Sequence, residues 1–173
     1  KHIVDKLTEA VQNPRTHREA TASGMSGRRK AIAAYYGRRF GVDIDPDGET
    51  IVTLGSKEGL ANLAMAITTP GDTILVPNPS YPIHPYGFII AGAVVRHVPI
   101  GPGVNFLQAL ERAVRHCVPA PVALVVSFPA NPTAMTVGLD FYGQVVDFAR
   151  SRGLFVLSDV AYAEIYFDGV PPP

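Results

Sequence analysis

Short apolar runs alternate with longer amphipathic stretches along most of the chain. The runs fall at residues 51–54, 73–76, 93–98, 122–128 and 154–157. Between them lie stretches at 56–67, 83–91, 105–116 and 139–152 whose apolar positions support helices. This rhythm predicts an α/β fold, a three-layer sandwich built on a mainly parallel sheet. In the 105–116 stretch, Leu107, Leu110 and Val114 make a stripe, and Glu111 is placed to pair with Arg115 one turn on. Over 139–152, Asp140 is a candidate cap for the start and Gly153 for the end. A further helix is predicted over 28–40, where Ala31, Ile32, Tyr35, Tyr36 and Phe40 lie near helical spacing between arginines, with Gly41 as its stop. Residues 13–27 carry Thr, Ser, Gly, Arg and Pro without an apolar period and read as an irregular connection, which separates an N-terminal segment at 1–27 from a main body at 28–173.

The runs at 122–128 and 154–157 are nearly all apolar, so both faces of these strands are expected to be covered, as in the middle of a parallel sheet. Polar chemistry is then expected at the strand ends, because open α/β sheets bind ligands beyond their carboxyl edges.

Composition narrows the class. With 47% hydrophobic residues in 173, the chain can build a packed core, and disorder is a poor reading. Lys plus Arg and Asp plus Glu each total 15, so no basic field exists to hold a nucleic acid or an anionic membrane. Charged residues make up only 17%, below the roughly 25% of a soluble domain, which points to an oligomer or a piece of something larger. The single cysteine, Cys117, excludes an internal disulfide framework and a multi-cysteine zinc site. The opening residues lack the apolar core of a signal peptide and no run nears the ~20 apolar residues of a membrane span, so a cytoplasmic protein is expected. The chain starts without Met and stops at Val170-Pro-Pro-Pro, which reads as truncation.

Four strand ends carry candidate chemistry. The 51–54 run leads into Gly55-Ser-Lys-Glu-Gly-Leu, a turn opening a helix, where Ser56 and Lys57 could join free N–H groups in a phosphate site; a plain N-cap role for Ser56 is the alternative. The second run ends in a proline-stiffened loop that could hold Tyr81 for stacking on a planar heterocycle, or simply pack it. Nearby His84 has no Cys or acidic partner at a metal spacing and reads as a packed or surface histidine. Past the fourth run, Asn131 sits between prolines, either as an amide donor to a phenolate or carboxylate or as a turn initiator. Past the fifth, Asp159 needs a cation or several donors to offset its desolvation, unless it only caps the turn, and Tyr162 lies three residues on. Phosphate turn, stacking aromatic, amide and carboxylate together suit a flat, phosphorylated, protonated aromatic ring, and pyridoxal 5′-phosphate has those features.

The ordered set Gly24-Met-Ser-Gly, Ala31-Ile-Ala-Ala-Tyr-Tyr, Gly55-Ser-Lys-Glu-Gly-Leu, Pro70-Gly-Asp, Asn78-Pro-Ser-Tyr-Pro, Asn131-Pro-Thr and Asp159-Val-Ala-Tyr resembles the class I/II aminotransferases, the fold-type I pyridoxal-phosphate enzymes. Within them it looks closest to the alanine and LL-diaminopimelate aminotransferase branch. The resemblance implies a partial large, cofactor-binding domain in which Ser56 and Lys57 hold the phosphate and Tyr81 stacks on the ring. It further implies that Asn131 and Tyr162 bond the ring oxygen while Asp159 keeps the ring nitrogen protonated. The implied activity moves an amino group between an amino acid and a 2-oxo acid, in a homodimer.

Two features depart from the family's pattern. Its cofactor-linking lysine follows the Asp-x-x-Tyr motif, whereas the lysines here are Lys1, Lys6, Lys30 and Lys57, all before Asp159; the 173 residues alone are therefore expected to be inactive, with no catalytic residue assigned. The arginine that usually grips the substrate carboxylate near the C-terminus is also absent. Glu19 stands where the family generally carries a tyrosine reaching the partner's cofactor phosphate. A non-catalytic α/β binding module derived from the same fold remains the alternative, and a doubly wound nucleotide-binding domain is disfavoured because the glycine fingerprint is missing.

Overall fold

Ile3, Val4, Leu7 and Val11 fall along one side of the first helix, α1 (His2–Gln12), none of whose residues is buried. This helix is not among the elements predicted from the sequence. The computed structural model describes residues 1–173, in two compact units, Lys1–Thr53 and Leu54–Pro173. No helix in either is long and apolar enough to cross a membrane.

In the first unit, a short 3-10 turn (Pro14–Thr16) follows α1, and α2 (Ser26–Phe40) ends on Gly41 in the left-handed conformation, as predicted. Before α2 the chain bends at Gly24, with φ of +88°, and a Cβ there would lie 2.4 Å from that of Val52. Both constraints demand glycine. Arg29, only 9% exposed, ties this bend to the turn at 45–48. Its Nε donates to the Pro46 carbonyl at 2.8 Å, Nη1 to Ser23 Oγ at 3.2 Å and to the Gly24 carbonyl, and Nη2 to Asp47 Oδ1 at 2.8 Å. Asp47 is well exposed, so the ion pair adds little; the bonds from a buried cation to two carbonyls carry the effect. Arg29→Ala is expected to destabilise this unit by about 2–3 kcal/mol, with Arg29→Lys recovering little because one ammonium cannot span the fork's partners. Urea unfolding read by hydrogen exchange in residues 1–53 measures it; a loss under about 1 kcal/mol would contradict the latch.

The second unit is built on strands that bury consecutive residues. In β1 (Thr73–Asn78), Ile74, Leu75 and Val76 are fully buried; in β3 (Pro121–Ser127), Ala123, Leu124, Val125 and Val126 are. Because alternate side chains point to opposite faces, such strands need cover on both. Ile74, Val76, Ala123 and Val125 pack with Ala64 of α3 (Ser56–Ile67) and Phe88 of α4 (Ile83–Ile90). Leu75, Leu124 and Val126 pack on the opposite face with Phe106 and Leu110 of α5 (Phe106–Arg115) and Val145 and Ala149 of α6 (Leu139–Arg152). The result is the predicted three-layer α/β arrangement.

With β2 (Val94–Pro99) and β4 (Phe155–Asp159) the sheet has four strands in the order β2-β1-β3-β4, all parallel. From β1 the chain steps one way to β2 through α4; it then crosses to β3 and on to β4 the other way through α5 and α6. Right-handed crossovers in opposite directions place their helices on opposite faces, which is the observed division. The direction reverses between β1 and β3, and a crevice is expected at their carboxyl ends.

Several expectations are corrected. Residues 51–54 form no strand: no neighbour pairs with them, and Ile51 and Leu54 are 67% and 93% exposed. An apolar run becomes a strand only where another strand meets its hydrogen bonds. Among residues 1–173, β4 pairs with β3 alone, and Phe155 is 64% exposed. Helix α6 starts from Gly138, so Asp140 lies inside the first turn without capping it, where its charge still favours the helix dipole. Gly153 ends that helix in the left-handed conformation as predicted. Glu111 meets Arg152 at 4.0 Å, which links α5 to α6.

Candidate functional site

Helix α3 takes Gly55 as its N-cap, so Ser56 is the first helical residue and makes no side-chain cap. The cap reading of Ser56 therefore fails. The first turn's acidic residue, Glu58, folds back to accept from the Leu54 N–H at 2.6 Å. Ser56 and Lys57 stand exposed at the positive end of the helix dipole. Since 51–54 is not a strand, this turn lies at a helix start and not at a strand's carboxyl end.

Lys57 Nζ lies 5.6 Å from the centroid of the Tyr81 ring, a cation–π contact. Tyr81 is half-buried in the turn between β1 and α4 and meets His84 edge-on at 6.1 Å. His84, in the first turn of α4, is 1% exposed. Its Nε2 lies 3.0 Å from Asp159 Oδ2 at the end of β4. The other carboxylate oxygen, Oδ1, accepts the Ala161 N–H at 3.2 Å. Asp159 thus makes the turn expected of a capping residue with one oxygen and holds His84 with the other. The His84 hydrogen bond, outweighing partial burial, draws the Asp159 carboxyl below its usual range, with the His84 charge and the Ala161 N–H adding to the effect.

Beyond β3, Asn131 Nδ2 donates to the Tyr162 hydroxyl at 3.1 Å. Asn131 and His84 also share a small cavity of about 10 Å³, lined in addition by Ser80, Ser127 and Phe128. A wider cleft of about 700 Å³ opens beside it, bordered by Asn131, Tyr162, Tyr166 and Phe167.

Five of the six residues singled out from sequence therefore form two contact groups, Lys57–Tyr81 carried through His84 to Asp159, and Asn131–Tyr162, joined at the cavity between His84 and Asn131. Ser56 adjoins Lys57. His84 is the residue the sequence reading passed over: it is packed, as expected, but it has an acidic partner 75 positions away. The only local signal was its place three residues after Tyr81, on the same side of a nascent helix.

Comparisons with known proteins follow the same pattern. The family model for aminotransferase class I and II matches residues 1–172. The chain is 56% identical over 171 residues to the putative aminotransferase AatC of Rhizobium meliloti, covering 99% of this chain and 42% of that protein. It is 51% identical over 172 residues to the glutamate-pyruvate aminotransferase AlaC of Escherichia coli, with 99% and 42% covered. Among solved structures, apo-BacF from Bacillus subtilis superposes with a TM-score of 0.90 at 32% identity, over 99% of this chain and 46% of that one. N-succinyldiaminopimelate aminotransferase from Mycobacterium tuberculosis gives 0.90 at 28%, over 98% and 44%. The chain thus spans less than half the length of these relatives, and by family it belongs to the class I and II aminotransferases.

Proposed function

We propose that the protein is a pyridoxal-phosphate-dependent aminotransferase, moving an amino group between an amino acid and a 2-oxo acid, and that residues 54–173 supply contacts to the cofactor's ring and phosphate. The observation that carries this is Asp159: a carboxylate held ionised, with both oxygens engaged, one histidine away from a stacking tyrosine. The donor set fits the group. It offers an anion for a protonated ring nitrogen, an aromatic face, a cation at a helix N-terminus for phosphate, and an amide–phenol pair for a ring oxygen.

When bound, the cofactor supplies an electron sink for the pair left as the substrate's α-proton departs. The residues' parts follow from position. Asp159 keeps the ring-nitrogen proton in place by opposing its charge. Tyr81 fixes the plane of the ring, with Lys57 at its side. Ser56, Lys57 and the first N–H groups of α3 receive the phosphate. Tyr162, whose oxygen already accepts from Asn131, keeps its own proton free to donate onward. Within these 173 residues lysines occur at positions 1, 6, 30 and 57, and we assign none of them the transfer of the substrate's α-proton. We place the protein in the cytoplasm as a homodimer, in line with its single cysteine and low charged fraction.

Pyridoxamine 5′-phosphate tests the reading, because it carries no aldehyde to react with stray lysines. A fluorescence titration should show saturable binding that weakens about tenfold or more with pyridoxamine lacking the phosphate, and likewise with Lys57→Ala, the scale of a lost charge-assisted contact. Binding that is non-saturable, or indifferent to the phosphate, would overturn it.

A further inference from the structure

The chain contains two Asp-Gly pairs, Asp47–Gly48 and Asp168–Gly169, and the fold treats them oppositely. After an aspartate, a glycine nitrogen has no Cβ beside it and can reach the aspartate's side-chain carbon when both groups are free to move. All four residues are exposed, so access to water does not distinguish the pairs. Hydrogen bonding does. The Gly48 N–H donates to Asp45 Oδ2 at 3.1 Å, and Asp47 Oδ1 accepts from Arg29 Nη2 at 2.8 Å. The Asp47 N–H is held too, on Asp45 Oδ1 at 2.9 Å. At the second pair the Gly169 N–H has no hydrogen-bond partner, and no basic side chain pairs with the Asp168 carboxylate. Gly169, with φ of +78°, has nothing within 4 Å of where a Cβ would stand. One bond does restrain Asp168, and it favours the approach. Its Oδ1 accepts the Val170 N–H at 3.2 Å, which closes a ring that includes both Asp168 Cγ and the Gly169 nitrogen.

We propose that Asp168–Gly169 is a site of spontaneous isomerisation, at which the peptide link passes from the main-chain carbonyl of Asp168 to its side-chain carboxyl. In the first step the Gly169 nitrogen bonds to Cγ of the protonated carboxyl, and the hydroxyl leaves with the N–H proton as water. The resulting succinimide takes one water back. Opening on the main-chain side breaks the bond between the Asp168 carbonyl carbon and the Gly169 nitrogen, frees that carbon as a carboxylate, and routes the chain through Cβ and Cγ. Water lost equals water regained, so the mass is unchanged and no oxidant or reductant enters. The lengthened main chain lies in the wall of the 700 Å³ cleft, which Asn131 and Tyr162 also border. Its new carboxylate is of the class that isoaspartyl carboxyl methyltransferases accept, an added modification on the altered residue. The site does not depend on the function proposed above.

Ageing the folded protein for weeks at neutral pH and body temperature tests this, with peptide mapping by electron-transfer fragmentation, which distinguishes the two aspartyl linkages. The isomerised linkage should accumulate at Asp168 at least about tenfold faster than at Asp47, the scale set by the charge-assisted bonds that must break before Gly48 can attack. In urea the two pairs should react at similar rates, because folding alone separates them. Transfer of a labelled methyl group by an isoaspartyl methyltransferase should rise with age in the parent protein. It should fall to near the fresh-protein level in Asp168→Glu, which keeps the charge but cannot close the same ring. Equal rates at Asp47 and Asp168 in the folded protein would overturn the proposal. So would an Asp168 that isomerises in urea and stays intact when folded, or methyl acceptance that Asp168→Glu leaves unchanged.

Discussion

Asp159→Ala is expected to reduce affinity for pyridoxamine 5′-phosphate by about 100-fold or more, the range for truncating one partner of a desolvated charge pair. The same change leaves His84 Nε2 facing an empty site in the protein interior, so stability should fall too, by about 1–3 kcal/mol. Asp159→Asn separates the two effects. Its amide oxygen still accepts from His84, preserving most of the stability, but it carries no charge to oppose a ring-nitrogen proton, so affinity should fall nearly as far as with alanine. The pH dependence has a definite sign. The folded-state carboxyl titrates below its unfolded value, so its contribution to stability is present above the ordinary carboxylate range, about pH 4, and is lost as pH falls through the lowered value. The stability gap between the parent protein and Asp159→Ala should therefore be wide at neutral pH and narrow in acid, as urea unfolding at pH 7 and pH 3 would show. A gap unchanged between those conditions would mean that the carboxylate is not held as its geometry indicates.

What could be read from the sequence follows physical range. Strands β1 and β3 were visible because runs such as Ile74-Leu-Val and Ala123-Leu-Val-Val leave no polar face, and Gly41 and Gly153 marked helix ends because left-handed caps favour glycine. Those signals lie within a few residues. Whether 51–54 pairs with a strand, and whether β4 sits inside or at the edge, depend on neighbours that no local pattern names. The stripe Ile3, Val4, Leu7 and Val11 was a readable helix signal that the reading did not use. At the site, residue types were informative where a motif concentrated them, as at Asn131 and Asp159. His84 was missed because a lone histidine says nothing until the fold brings a carboxylate from 75 residues away. A buried charge predicts that a partner exists, and only topology names it.

That dependence on topology makes Phe88 the most sensitive core position for the site. Phe88 is fully buried, packs α4 against the face of the sheet shared with α3, and lies four residues after His84, on the same side of the helix. Phe88→Ala is expected to cost about 3–5 kcal/mol through lost burial and a partly collapsed cavity, a large part of the usual 5–15 kcal/mol margin of a domain. Phe88→Leu, which conserves more of the volume, should cost markedly less. Beyond stability, the vacated space lets α4 settle toward the sheet and draws His84 out of line with Asp159. Cofactor-analogue affinity should then fall in Phe88→Ala under conditions where the protein is still mostly folded, as a fluorescence titration would show. A stability loss with unchanged affinity would mean that α4 is anchored by the proline-rich turn at 77–82, with the core beneath it playing no part in positioning the histidine.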